Sequence, residues 1–143
     1  MVTKLLKRIQ KYSTVRITVC GVGLDAIVAD TAVKRMVGLM HRDSLQAGTC
    51  MLFTLKSPSL EGIWMRNMRF PIDVLWVDGS GRVVDTASGL RPAHGLDFRT
   101  YYPRTPASYV IELQAGFIRR HHVAVGGRVG LPLRASGRRG GSG

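Results

Sequence analysis

The sequence predicts a small, mainly β domain: a barrel or sandwich of six to eight short strands with one or two short helices. Three observations carry this expectation. Apolar and polar residues alternate in several short stretches, the period of a half-buried strand. Gly, Pro, Asn and Asp punctuate those stretches at close intervals. Clear helical spacing within the body is confined to one segment, so nothing reads as alternating βαβ units.

The elements follow in order. Val2, Leu5, Leu6, Ile9 and Tyr12 recur at helical spacing, with Lys4, Lys7, Arg8 and Lys11 mostly on the other side. Residues 1–14 are therefore expected to form a basic amphipathic segment, and a helix this short needs a surface to dock on. From Val15 the period changes. Val15–Cys20 alternates and is rich in β-branched residues, Gly21-Val22-Gly23 turns the chain, and Leu24–Ala29 reads as the hairpin partner. Asp30 or Thr31 caps a helix from about Ala32 to Leu39, with Val33, Met36, Val37 and Met40 on one face. Gly38 is unfavourable inside a helix by about 1 kcal/mol and is better placed at its end or beside another backbone.

After a polar connection, Cys50–Leu55 is a buried-strand candidate and Lys56-Ser57-Pro58-Ser59 a turn. Glu61–Met68 and Ile72–Asp78 are two further strands around Phe70-Pro71. Asp78-Gly79-Ser80-Gly81 is a hairpin signal leading into Arg82–Ala87. Residues 88–106, with three prolines and two glycines, read as a long irregular loop, a kind that often carries function. Ser108–Leu113 alternates as a strand, Ala115–His121 suits a short helix, and Arg128–Leu133 reads as the last strand. The tail, residues 134–143, is Gly, Ser and Arg with nothing to bury, and is expected to be disordered. The body, residues 15–133, is one domain, since 143 residues suffice for one core and not for two.

The net charge of +12 suggests a nucleic-acid partner until it is partitioned. Residues 1–16 carry five basic residues and no acid, and residues 119–143 carry six and no acid, whereas residues 17–118 hold ten basic and nine acidic residues. The body is nearly neutral, and an acidic partner would meet the ends first. No run approaches the roughly 18 apolar residues of a membrane-spanning helix. Lys4, Lys7, Arg8 and Lys11 interrupt any signal-peptide core near the N-terminus, so the expected location is cytoplasmic. Cys20 and Cys50 both sit in apolar runs outside any C-x-x-C pattern, which favours buried, unreactive thiols.

Chemistry-bearing residues concentrate in Trp64–Asp73. Arg66, Asn67 and Asp73 stand there among large apolar side chains, where burial is costly unless each polar group finds a partner. Asp73 and Glu112 both fall within apolar strands. Alternation puts Asp73 with Leu75 and Val77, opposite Ile72, Val74 and Trp76, and it puts Glu112 with Val110, opposite Tyr109, Ile111 and Leu113. In one cleft the two carboxylates would serve as general acid and base. The plainer reading is that each pairs with an arginine, such as Arg42 or Arg66, or accepts from backbone N–H groups. The four histidines form no i, i+4 pair, so no metal is expected. The methionines between Met36 and Met68 read as core filler. No activated nucleophile or phosphate loop is visible, and no cofactor is expected.

Several motifs in order then define a resemblance: Ala29-Asp30-Thr31, Gly38-Leu39-Met40-x-Arg42, Met51-Leu52-Phe53, Trp64-Met65-Arg66-Asn67, Pro71-Ile72-Asp73-Val74 and Tyr109-Val110-Ile111-Glu112-x-x-x-Gly116. Over about Val15 to Leu131 the chain resembles the domain-of-unknown-function 192 family of bacteria and archaea. The resemblance implies a mostly β fold and no established activity. Departures from the family pattern are Cys50 in place of Gly, Gly126-Gly127 in place of Gly-Asp, and Arg66-Asn67-Met68 in place of Lys-Asn-Thr.

Three function classes stay open. The first is a small non-catalytic binding or accessory domain, for an unidentified small molecule or protein, with a recognition surface around Trp64–Asp73. Its candidate residues are Arg42, Trp64, Arg66, Asn67, Asp73 and Glu112. The second is an enzyme using Asp73 or Glu112 as acid or base. The third is an RNA- or ribosome-associated accessory protein that contacts phosphates weakly through its basic ends.

Overall fold

The computed structural model describes residues 11–132. The basic ends expected from the sequence lie outside them, apart from Lys11 to Thr14. The fold is mainly β. In chain order it comprises β1 (Thr14–Val19), β2 (Val22–Ala29), α1 (Ala32–Val37), β3 (Thr49–Ser59), β4 (Ile63–Trp64) and β5 (Ile72–Val77). These are followed by β6 (Val83–Leu90), β7 (Thr100–Tyr101), β8 (Ala107–Gln114), α2 (Phe117–Arg120) and β9 (Val129–Gly130).

Seven strands form one curled sheet in the order β6-β5-β8-β3-β2-β1-β9, and β4 pairs with β7 in a separate two-stranded ribbon. All pairings are antiparallel except β2 with β3. That parallel pair requires a crossover, which α1 and the polar connection after it supply. The edge strands meet at one end of the curl. Arg82 bridges Arg128, Val83 N donates to Gly127 O, and Val129 N donates to Gly81 O at 2.8 Å. Backbone groups that would be left open at two sheet edges are thereby paired.

Each face of the sheet carries its own apolar cluster. The inner one gathers Ile17, Val19, Leu24, Cys50, Leu52, Leu75, Val77, Ile111, Leu113 and Phe117 within the curl. The outer one holds Met51, Phe53, Leu55, Ile72, Val74, Trp76 and Val110. Leu39, Leu45, Met65 and Met68, from the segments that cross this face, complete it. Strand β5 is buried at all six positions, as expected of a strand covered on both sides.

Several expected boundaries move, each for a physical reason. Lys56–Ser59 is not a turn: β3 continues to Ser59, and the register with β8 shifts between Thr54 and Ser59. Pro58, which has no N–H to give a ladder, falls in that irregular stretch. The strand expected over Glu61–Met68 shrinks to Ile63–Trp64, because Asn67 takes a left-handed conformation at φ 59° and turns the chain. Asn tolerates that region better than most residues. The loop expected over 88–106 loses its start to β6 and Thr100–Tyr101 to β7. The last strand contracts to Val129–Gly130.

Thr31 caps α1, its hydroxyl accepting from Lys34 N at 3.2 Å, and Gly38 follows the helix end. The helix buries none of its six residues. Its expected core face is thus partly open, with Val33 53% and Met36 67% exposed. Of the two thiols, Cys50 is buried as expected, but Cys20 is exposed in the β1–β2 turn. Among the described residues no helix is long and apolar enough to cross a membrane.

Candidate functional site

A cleft of about 660 Å³ opens on the outer face of the sheet. Its floor is Phe53 and Leu55 of β3 with Val110 and Glu112 of β8. One wall is α1 and the segment after it, contributing Arg35, Met36, Leu39 and Met40. The opposite wall is the β4–β7 ribbon and its flanks, contributing Leu60, Glu61, Trp64 and Tyr102. The rim is apolar and open to solvent: Leu60, Trp64 and Tyr102 are 53%, 45% and 66% exposed. An exposed apolar rim around a concavity of this size is the usual form of a ligand site.

Glu112 is the polar group on the floor. Strand register places Met51 on β3 and Val74 on β5 directly beside it, and Val110 precedes it on the same face. These neighbours offer its carboxyl no donor. Oε2 is buried and has no hydrogen-bond partner among the described residues. Burial pushes the Glu112 carboxyl up to about 8, because a low-dielectric surround disfavours the charged form. At neutral pH the group is therefore mostly a neutral acid that can donate one hydrogen bond and accept others.

The other expected site residues disperse. Asp73 is buried on the inner face, where Oδ1 accepts from Gly89 N at 2.8 Å and Oδ2 from Ile118 N at 2.9 Å. It ties β5 to the end of β6 and to the first turn of α2, matching the plainer expectation that it would accept from backbone N–H groups. It takes no part in a recognition surface on the outer face. The expectation that Asp73 and Glu112 share a cleft fails with it, since the sheet lies between them.

Arg66 lies over two rings, 4.1 Å from the Phe98 centroid and 5.7 Å from that of Trp64. It braces the outside of the ribbon and does not line the cleft. Asn67 joins two segments: its carbonyl accepts from His41 N at 3.3 Å, and its Nδ2 approaches Met40 Sδ at 3.9 Å. Arg42 sits 5.5 Å from the Tyr12 ring, with Lys34 at the same distance from that ring. Of the six expected residues, Trp64 and Glu112 line the cleft; Arg66 and Asn67 support it, and Arg42 and Asp73 act elsewhere.

Residues that the sequence did not single out complete the site. Arg35 donates from Nη1 to Thr54 O at 3.1 Å and stands on the wall. Trp76 donates from Nε1 to Glu61 O at 2.9 Å and holds the opposite rim to the sheet. Leu60, Tyr102 and Met36 come from segments far apart in sequence. The available signal was the apolar helical stripe of Val33 and Met36, which the fold leaves exposed.

The site has no cluster of three or more His, Cys, Asp or Glu residues suited to a metal, among the described residues. A buried acid without a partner, aromatic rings and thioethers make a surface that can bind an apolar body and one polar group.

Known proteins share this architecture. A crystal structure from Sinorhizobium meliloti 1021, named a candidate transcription regulator, superposes with a TM-score of 0.77 at 25% identity. The match covers 84% of this chain and 95% of that one. A protein of unknown function from Novosphingobium aromaticivorans superposes at 0.76 with 23% identity, over 88% and 96% of the two chains, and shows the fold alone. In sequence, a UPF0127 protein of Thermococcus gammatolerans is 34% identical over 99 residues, which is 69% of this chain and 61% of the relative. A UPF0127 protein of Pyrococcus furiosus is 33% identical over 106 residues, 71% and 81% of the two chains. The match thus spans about three-fifths of the Thermococcus relative's length. The DUF192 family model, described as "Uncharacterized ACR", matches residues 15–131, the span over which the sequence motifs run, and the chain belongs to this family of uncharacterised proteins.

Proposed function

We propose that the protein is a non-catalytic binding domain that takes a small molecule with an apolar body and one polar group in the outer-face cleft. One observation carries this reading: the exposed rim of Met36, Leu60, Trp64 and Tyr102 surrounds a floor holding the buried, unpartnered carboxyl of Glu112. Leaving such a group unmade costs about 1–3 kcal/mol; Oε2 itself is closed to solvent, so a ligand group that turns the carboxyl toward the cleft would supply the missing bond.

An acid–base pair of Asp73 and Glu112 has no support in the geometry, since Asp73 spends both oxygens on backbone N–H groups of the other face. Phosphate contact through the basic ends concerns residues outside those described.

Amide shift mapping with small aryl-alkyl compounds tests the proposal. Shifts are expected in Gly38–Met40, Leu60–Trp64 and Thr100–Tyr102. Shifts confined to β1, β2 and β9 would reject it.

A further inference from the structure

We infer that the cleft recognises an organic ammonium ion, a primary or secondary amine carried on an apolar or aromatic body, whose N–H groups donate to the free carboxyl of Glu112. This rests on the binding reading above and adds the chemical class of the ligand.

The argument begins with what the floor lacks. Oε2 of Glu112 is buried and has no hydrogen-bond partner among the described residues, and its strand neighbours Met51 and Val74 are apolar. Three other titratable side chains line the cleft: Arg35 from α1, Glu61 before β4 and Tyr102 after β7. Arg35 stands on the wall with a guanidinium nitrogen donating to Thr54 O. Glu61 lies at the exposed rim and adds a second negative group at the entrance.

The walls fit the same ligand. Phe53, Trp64 and Tyr102 offer ring faces, and Met36, Met40 and Met68 offer polarisable thioethers. Ring faces attract cations, and more strongly when water is excluded. Trp64 already takes part in one such contact with Arg66 on its outer side. An anionic ligand gains no counter-ion from the floor and meets a second negative charge once Glu112 ionises at about 8, and Arg35, the cation among the described lining residues, already gives a guanidinium N–H to Thr54 O. A hard divalent cation would need several oxygen ligands, and the floor provides one side chain.

Binding of an ammonium ion is coupled to the ionisation of Glu112. Below the pH at which this acid ionises in the empty protein, forming the ion pair must release a proton. An alkylamine stays protonated through this range, as lysine does. With the carboxyl ionising at about 8, affinity is expected to rise about 50-fold between pH 6 and pH 8. A neutral ligand requires no such release, and its affinity would stay level or fall over the same range.

The test uses the full chain with 2-phenylethylamine, 2-phenylethanol and 3-phenylpropionate, followed by titration calorimetry and amide shifts. The expected result is amine binding in the cleft, tightening steeply from pH 6 to pH 8, with weaker binding of the alcohol and none of the acid. Glu112→Gln should weaken the amine at pH 8 by tenfold or more and flatten its pH profile. The profile of the unaltered chain gives a result independent of the variant's folding. Alcohol binding as tight as the amine at pH 8, or a flat amine profile, overturns the ammonium assignment while cleft-localised shifts leave the binding reading intact. If none of the three compounds moves the cleft resonances, both fail.

Discussion

Asp73 and Glu112 lie on paired strands, one residue out of step, and open onto opposite faces of the sheet. Leu113 is the partner of Asp73 and Val74 the partner of Glu112. Directly opposed residues of an antiparallel pair share a face, and neighbours along a strand do not. The two residues leave adjacent strands, and their carboxyls still have different surroundings. One accepts two backbone N–H groups at 2.8 and 2.9 Å, and the other is buried without a partner on its inner oxygen. Satisfaction, more than burial, separates the structural acid from the one free for a ligand.

The unsatisfied acid should set a pH dependence of stability. Glu112 titrates near 4.5 in an unfolded chain and at about 8 in the folded one. Between those values the folded state keeps a proton that the unfolded state has released. The contribution is therefore fully present below pH 4.5, declines as pH rises, and is exhausted above 8. Its size is on the order of a few kcal/mol. Glu112→Gln should match the parent chain within about 1 kcal/mol at pH 5 and exceed it in urea midpoint at pH 8.5. Parallel curves for the two proteins across that range would show that the carboxyl is not desolvated.

Asp73 should tolerate replacement poorly, because both of its oxygens accept backbone N–H groups. Replacing it with Asn keeps one acceptor and turns an NH₂ group toward a backbone N–H, while Ala removes both acceptors. Hydrogen bonds to charged groups contribute about 1.5–3 kcal/mol each, so Asp73→Asn should cost about 2–3 and Asp73→Ala about 3–5. Denaturant titration measures the loss, and faster amide exchange at Ile118 and Gly89 locates it. A change under about 0.5 kcal/mol for Asp73→Ala would contradict the two bonds.

Much of this arrangement was legible from residue order alone. The β1–β2 hairpin, the Asp78–Gly81 turn and the alternation on β5 and β8 follow from local chemistry, and the last of these gave the correct partners for each carboxyl along its own strand. Alternation assigns faces within one strand and says nothing about register between strands. Whether Asp73 and Glu112 meet was therefore undetermined until the pairing Val74 with Glu112 was known. The cleft was hidden for a related reason. Arg35, Leu60, Tyr102 and Glu112 are brought together by the parallel β2–β3 crossover and the β4–β7 ribbon, neither of which leaves a local pattern. The strand past Pro58 went against short-range propensity.

The thiols give a third expectation. Cys50 is buried and burial pushes its thiol up to about 12, the Asp25 carboxylate acting in the same direction. Since the thiolate is the reactive form, Cys50 should resist a disulfide reagent in the native protein. Cys20, exposed in its turn, should react with it. One equivalent of fast-reacting thiol under native conditions and two in denaturant is the expected count. Two fast equivalents in the folded protein would mean that the inner cluster opens to solvent.

The closure between β6 and β9 gives the last. Gly81 has φ +85°, and a Cβ there would lie 2.5 Å from the carbonyl oxygen of Val129. That oxygen belongs to the backbone of β9, whose Val129 N donates back to Gly81 O at 2.8 Å. An alanine must therefore either part the two edges or leave its left-handed conformation, and both break the same contact. Gly95 has a comparable φ of +61° but open space where a methyl group would stand, so Gly95→Ala isolates the backbone strain, about 1–2 kcal/mol. Gly81→Ala should cost clearly more than that, about 3 kcal/mol or above, with exchange protection lost at Val83 and Val129 together. Equal costs for the two variants would mean that the sheet edges do not depend on close approach at Gly81.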